Sequence, residues 1–176
     1  MFVGATFAWF TDSASTGVNK IQAGTLDVGL NYAKEFNDDK TVKTWGDATN
    51  VSLFDTDNME PGYMTVAGLQ VKNEGNLALK WKATLNSSAK LSKLADVIDV
   101  YVKTGDYKAP ANREEVTNSW TNAGTLAQFV AGIETTTYGS LAAKETADLG
   151  LALVMSTNAG NEYQGLELGD HITVTI

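Results

Sequence analysis

Tyr63-Met-Thr-Val-Ala-Gly-Leu-Gln-Val-Lys72, Asn73-Glu-Gly-Asn76 and Leu77-Ala-Leu-Lys-Trp-Lys-Ala-Thr-Leu85 follow one another without interruption. In the first run Tyr63, Thr65, Ala67, Leu69 and Val71 fall on one side, and Met64, Val66, Gly68 and Gln70 on the other. In the third, Leu77, Leu79, Trp81, Ala83 and Leu85 alternate with Ala78, Lys80, Lys82 and Thr84. A period of two is the signature of a strand with one buried face. Two such runs around a Gly/Asn turn predict an antiparallel hairpin, its inner face apolar and its outer face partly basic.

Working outward, the same period recurs. Ile21–Leu30 sets Leu26, Val28 and Leu30 against Thr25, Asp27 and Gly29. Asn37-Asp-Asp-Lys40 reads as a polar turn, Asn50–Phe54 as a short strand, and Asn58–Gly62 as a turn in which Pro61 presets φ and Gly62 is free to take positive φ. Val97–Val102 is β-branched and aromatic, Ala147–Met155 is strongly apolar, and His171–Ile176 closes the chain; all three read as strands, with a turn at Asn158–Asn161. Helical spacing is confined to Ser87–Ala95 (Leu91, Leu94), Arg113–Val116 and Thr125–Ala131, with Asp106–Asn122 otherwise polar and irregular. Strands without a βαβ alternation predict an all-β, antiparallel two-sheet sandwich with short helical insertions.

Bulk composition narrows the function classes. A chain of 176 residues with 43% hydrophobic and 19% charged residues can bury one core. Its net charge of −8 disfavours phosphate backbones, so nucleic acid is not an expected partner. There are no cysteines and one histidine, His171, which removes thiolate chemistry and any His-rich zinc motif. His171 beside Asp170 lacks a nucleophile-elbow partner. Asp55-Thr-Asp57-Asn58 near Glu60, and Asn37-Asp38-Asp39, hold fragments of a calcium loop without its central Gly and distal Glu. No catalytic, cofactor or metal site is therefore expected. Trp45, Trp81 and Trp120 raise a carbohydrate-binding platform as an alternative: Trp81 lies on an apolar strand face, whereas Trp45 and Trp120 stand among polar neighbours and are expected at the surface.

Met1–Ala8 is apolar and rich in small residues, with Thr6 and Ala8 at the −3 and −1 positions of a signal-peptidase site. Gly4-Ala-Thr-Phe-Ala-Trp-Phe-Thr-Asp12 followed by Ala23-Gly-Thr-Leu-Asp-Val28 resembles the N-terminal signature of the TasA/camelysin family. Met59–Lys80 is similar to that family's Pro-Gly turn, strand, N-x-G turn and strand, and Asn161–Gly165 with the closing strand to its end. The resemblance implies a jelly-roll sandwich and secretion, with cleavage between Ala8 and Trp9. It implies a biofilm-matrix fibre subunit, although one branch carries a metalloprotease label. Residues 1–8 are then a signal-peptide remnant, 9–24 a donor arm and linker, and 25–176 the jelly-roll domain, with a variable insertion around 100–145.

Strand donation needs an extended segment and a flexible joint. Phe7, Trp9 and Phe10 supply apolar groups worth roughly 1.5–3 kcal/mol each when buried, and Thr11–Asn19 is a small, polar linker. Head-to-tail addition does not close, so it yields filaments. The expected partners are further copies of the chain, other matrix or anchoring proteins and polysaccharide, with membrane contact only before cleavage.

Overall fold

A computed structural model of the protein describes residues 26–54, 59–87, 90–131, 137–163, 166–168 and 172–176. The architecture is mostly β and antiparallel. Strands β1 (Val28–Phe36), β2 (Val42–Asp47), β3 (Met64–Asn73), β6 (Ile98–Thr104), β7 (Thr121–Thr125) and β9 (Thr146–Met155) form one sheet in the order β2-β1-β3-β9-β6-β7. Against it lie two pairs, β4 (Leu79–Lys82) with β8 (Thr137–Leu141) and β5 (Thr84–Ser87) with β10 (Ile172–Thr175). Strands β4 and β5 keep one alternation through Ala83: Trp81, Ala83 and Leu85 are buried, while Lys80, Lys82 and Asn86 are exposed. These inward side chains join Leu141, Val174 and Ile176 from β8 and the C-terminal strand. Together they meet Leu69, Val71, Val100, Leu149, Leu151 and Leu153 of the large sheet in one continuous core. A six-stranded sheet and two strand pairs sharing one apolar layer bear out the expected all-β, antiparallel class and are arranged as a sandwich is.

The hairpin expected at 63–85 is not there. Strand β3 pairs with β1 and β9, and β4 pairs with β8, so the turn between them carries the chain from one layer to the other. Alternation alone cannot separate the two outcomes, because an arch and a hairpin require the same periodic pattern. Asn73 decides it. Its buried Nδ2 donates to the carbonyls of Leu77 (2.7 Å), Ala142 (3.0 Å) and Leu141 (3.3 Å), and its Oδ1 accepts from Gly75 N–H (3.1 Å). The side chain thus replaces the ladder partners that a hairpin would have provided, and it binds β3 to the strand end opposite.

Other elements follow their local chemistry. The tip 37–40 is a turn, as expected, with Lys40 at φ 68°, and Gly62 takes φ 88° beside Pro61. Helix α1 (Arg113–Ser119) starts at Asn112, whose Oδ1 accepts from Glu115 N–H at 2.9 Å. Helix α2 (Leu126–Val130) has a capping box between Thr125 and Gln128 and drives Leu126 and Phe129 into the core beside β5 and β6. A 3-10 turn at Lys93–Asp96 replaces the helix expected over Ser87–Ala95, burying Leu94 and Ala95. The expected strand at Asn50–Phe54 is irregular, although Phe54 is buried. Strands β2, β7 and β8 had no counterpart in the sequence reading. Within residues 100–145, α1, β7, α2 and Leu141 of β8 all pack into the body of the domain.

Candidate functional site

Phe7, Ala8, Trp9 and Phe10, the expected donor-arm and cleavage residues, lie outside the described residues, as do Asp55, Asp57, Asn58, Asp170 and His171. What is described is the place where the expected arm joins the domain. There the backbone carbonyl of Asp27 accepts from the N–H groups of Glu74 (2.6 Å) and Gly75 (3.2 Å). The Glu74 carbonyl in turn accepts from the Lys144 ammonium, and Asn73 N–H donates to the Glu145 carbonyl at 2.9 Å. The N-x-G turn therefore has two roles in one place. Asn73 ties the two layers together, and the two following amides hold the chain at Asp27, one residue before β1 begins.

The two edges of the large sheet differ. Strand β7 is irregular: its register against β6 shifts between Asp99 and Tyr101, Gly124 sits at φ 92°, and α2 follows at once. Such features interrupt the row of main-chain groups that a further strand would need. Strand β2 has register shifts only toward Phe36. From Trp45 to Asp47 it is regular against Ala33 to Asn31, and among the described residues β1 is its one strand neighbour.

The tryptophans divide differently from the expectation. Trp81 is in the core, as read. Trp120, expected at the surface, is buried at 6% exposure, and Trp45 is half-buried. The reason lies on the outer face of the large sheet. Gly68 and Gly150 are direct cross-strand partners on β3 and β9 and leave a gap in the side-chain layer. Tyr107 and Trp120 fill it: a Cβ at Gly68 would lie 2.0 Å from Tyr107 Cε1, and one at Gly150 would lie 2.7 Å from the Trp120 ring. The two rings meet edge-on at 6.4 Å, and Phe36 stands 6.5 Å from Tyr107. Asp148 holds the cover by accepting from Tyr107 N–H (3.2 Å) and Gln70 Nε2 (3.1 Å). Burial pushes the Tyr107 phenol up to about 12. Asp99 is raised by burial against the opposing pull of Arg113. A flat aromatic platform for sugar stacking is therefore not what Trp120 provides.

Two of the described acidic groups are engaged locally. Asp39 accepts from Thr41 Oγ1 and N–H, and its carboxyl is lowered chiefly by those bonds. Asp47 accepts from Thr49 N–H and is lowered in the same way. Among the described residues no three of His, Cys, Asp and Glu converge, so these residues do not supply the donor set that a resident catalytic metal would require. No helix among them is long and apolar enough to cross a membrane.

A family model described as camelysin metallo-endopeptidase matches residues 1–100. No curated protein and no solved structure matches the chain. The matched region takes in the Trp9–Asp12 signature, the Asp27 anchor and the Asn73 turn, and it spans more than half the sequence; the chain belongs to the TasA/camelysin family.

Proposed function

We propose that the protein is a secreted, non-catalytic structural subunit of an extracellular biofilm-matrix fibre, and that it polymerises head to tail. In this reading the chain is cleaved between Ala8 and Trp9, which removes Phe7, and the arm carrying Trp9 and Phe10 is the source of apolar donor groups. The arm of one copy leaves at Asp27 and adds as a strand to the next copy, whose fold we read as a jelly roll. The observation that carries the reading is the sandwich's large antiparallel sheet with its regular edge at Trp45–Asp47, in a chain of this family. A strand added to an edge gains main-chain hydrogen bonds, with alternate side chains entering pockets. The anchor at Asp27 favours it further, since it fixes where the arm starts without using any side chain of the arm.

The metallo-endopeptidase description of the family is not carried to this chain. Its sequence holds one histidine and no cysteine, and the described carboxylates are dispersed. The test compares protein beginning at Trp9 with protein beginning at Ser13, by electron microscopy under identical conditions. Fibres from the first and dispersed particles from the second are expected. Equal fibre growth from both would remove the arm from the account.

A further inference from the structure

Strand β10 is the outermost strand of its pair, with β5 as its one strand neighbour among the described residues. Its other side is therefore a sheet edge. Edges are ordinarily blunted by a charge, a proline, a bulge or a covering element. The edges of the large sheet follow that rule in part: β2 has register shifts and the Thr41–Lys108 bridge toward its tip, and β7 has a register shift and a helix that follows at once. Strand β10 shows none of these devices among the described residues. Ile172-Thr-Val-Thr-Ile176 contains no charge, proline or glycine, and its pairing with Ser87 to Thr84 runs without a shift. Ile172, Val174 and Ile176 pack toward the core, while Thr173 stands exposed on the other face. The threonines are tied back to β5: Asn86 Nδ2 donates to Thr175 Oγ1 at 2.8 Å, and Thr173 Oγ1 to the Asn86 carbonyl at 3.3 Å. These bonds hold the strand extended.

The sequence of this edge reads the same in both directions. A two-fold axis through Val174 therefore sets Val174 opposite Val174 of a second copy, Ile172 opposite Ile176, and Thr173 opposite Thr175. Every cross-strand pair is then β-branched on β-branched, with aliphatic groups meeting on the core side and hydroxyls on the solvent side. A shift of one residue would set the inward row of one copy against the outward row of the other. No like charges face each other across the pair, which matters in a chain of net charge −8. We infer that the free edge of β10 is a self-association surface, on which a second copy of this chain adds antiparallel through Ile172–Ile176. Such a contact is isologous and closes at two copies. It uses no residue of the arm, so it stands apart from head-to-tail growth, and in a fibre it would tie two filaments side by side. Five residues a side are far fewer than the roughly 20–30 of a standard interface, so the dimer is expected to be weak and reversible.

The test is sedimentation velocity of the full chain between about 1 μM and about 1 mM, where a shift from monomer to dimer is expected as concentration rises. The T173K/T175K variant places lysine opposite lysine twice, and its association is expected to weaken about tenfold or more. The T173K/T175E variant loses the same two hydroxyls but opposes lysine to glutamate, and it is expected to associate at least as well as the parent. Only the cross-strand register separates the two variants. Circular dichroism establishes that each is folded. Where one is not, hydrogen exchange of the parent replaces it: exchange along Ile172–Ile176 is expected to slow with concentration while exchange at Ala109 does not. Protein beginning at Ser13 is expected to dimerise as the full chain does. A parent that stays monomeric throughout, or equal loss in both double variants, would overturn the inference. So would a dimer that disappears without residues 1–12, which would assign the edge to the arm. Fibre growth by the Trp9-starting protein is scored separately, so the two readings can fail independently.

Discussion

The two faces of the six-stranded sheet are built by different means. On the inner face, Leu69, Val71, Val100, Leu149, Leu151 and Leu153 share one buried cluster with Trp81, Leu85, Leu141 and Val174 of the opposite layer. On the outer face the strands offer Gly68, Gly150, Ala152 and Val154, and the missing volume is supplied by Tyr107, Val116 and Trp120 from the segment that leads through α1. The first face is continuous with the shared core of the sandwich. The second is a local cover, fastened through Asp148, through the bridge between Thr41 and Lys108, and through Ala109 N–H on the Lys40 carbonyl at 3.0 Å. What this teaches is that one sheet can carry a core on each side while only one of them is written in the strands themselves.

The largest effect is expected on the inner face. Leu151→Ala removes a fully buried side chain at the centre of β9 and leaves a cavity between two rigid layers. A loss of about 3–4 kcal/mol in unfolding free energy is expected from denaturant titration. On the outer face the damaging change adds atoms instead. Gly68→Ala places a methyl group within the Tyr107 ring, and the ring must leave its slot. A loss of about 2–3 kcal/mol is expected, together with a change in near-UV circular dichroism as Tyr107 and Trp120 move. If Gly68→Ala were harmless, the outer face would be a loose cover and the comparison would break.

That asymmetry also explains what could be read beforehand. Strand β3 was legible from its period of two, β6 from its β-branched and aromatic residues, and β9 from its apolar run, which fits a strand buried on both faces. Strands β7 and β8, Thr-Asn-Ala-Gly-Thr and Thr-Tyr-Gly-Ser-Leu, are short and polar, and are strands only because neighbours pair with them. Gly68 and Gly150 could not be read as a window, since they are far apart in sequence and their pairing follows from a register set elsewhere. Trp120 has Asn118, Ser119, Thr121 and Asn122 around it, and only the placement of α1 over the sheet buries it. The Asn73 turn was recognised as a motif but misassigned as a hairpin loop, because its decisive bonds reach Leu141 and Ala142. For the candidate site, the family signature was legible, while the anchor at Asp27 is a backbone contact that no side-chain pattern announces.

A smaller effect separates the faces by titration. Tyr107 ionises near 10 in the unfolded chain, and burial raises it to about 12 in the folded one. Above pH 10 the unfolded state therefore binds fewer protons than the native state, and stability falls as pH rises. The contribution is whole below pH 10 and amounts to a loss of about 1 kcal/mol by pH 11. Tyr107→Phe is expected to remove this component from the pH dependence, read as the difference between the two stability profiles between pH 9 and 12. Identical profiles would mean that the phenol is solvated and the cover open.

The smallest effect concerns the hairpin tip that fastens the cover. Asp39 is exposed, and its carboxylate is held below its usual range by the bonds from Thr41 Oγ1 and N–H. A group lowered in the folded state stabilises above its unfolded pKa of about 3.9 and loses that contribution as pH falls through the folded value. Solvent screening keeps this contribution slight, so global unfolding is a poor readout. Its consequence should be local: Thr41 pairs with Lys108, and Ala109 N–H is bonded to Lys40, one residue from Asp39. Asp39→Asn is therefore expected to speed hydrogen exchange at Ala109 at neutral pH while leaving Leu151 and Leu153 unchanged. In the parent chain the same local speeding should emerge only under acid. Slower or unaltered exchange at Ala109 would show that Asp148 and the glycine window hold the cover without help from the tip, which would make the outer face as self-sufficient as the inner one.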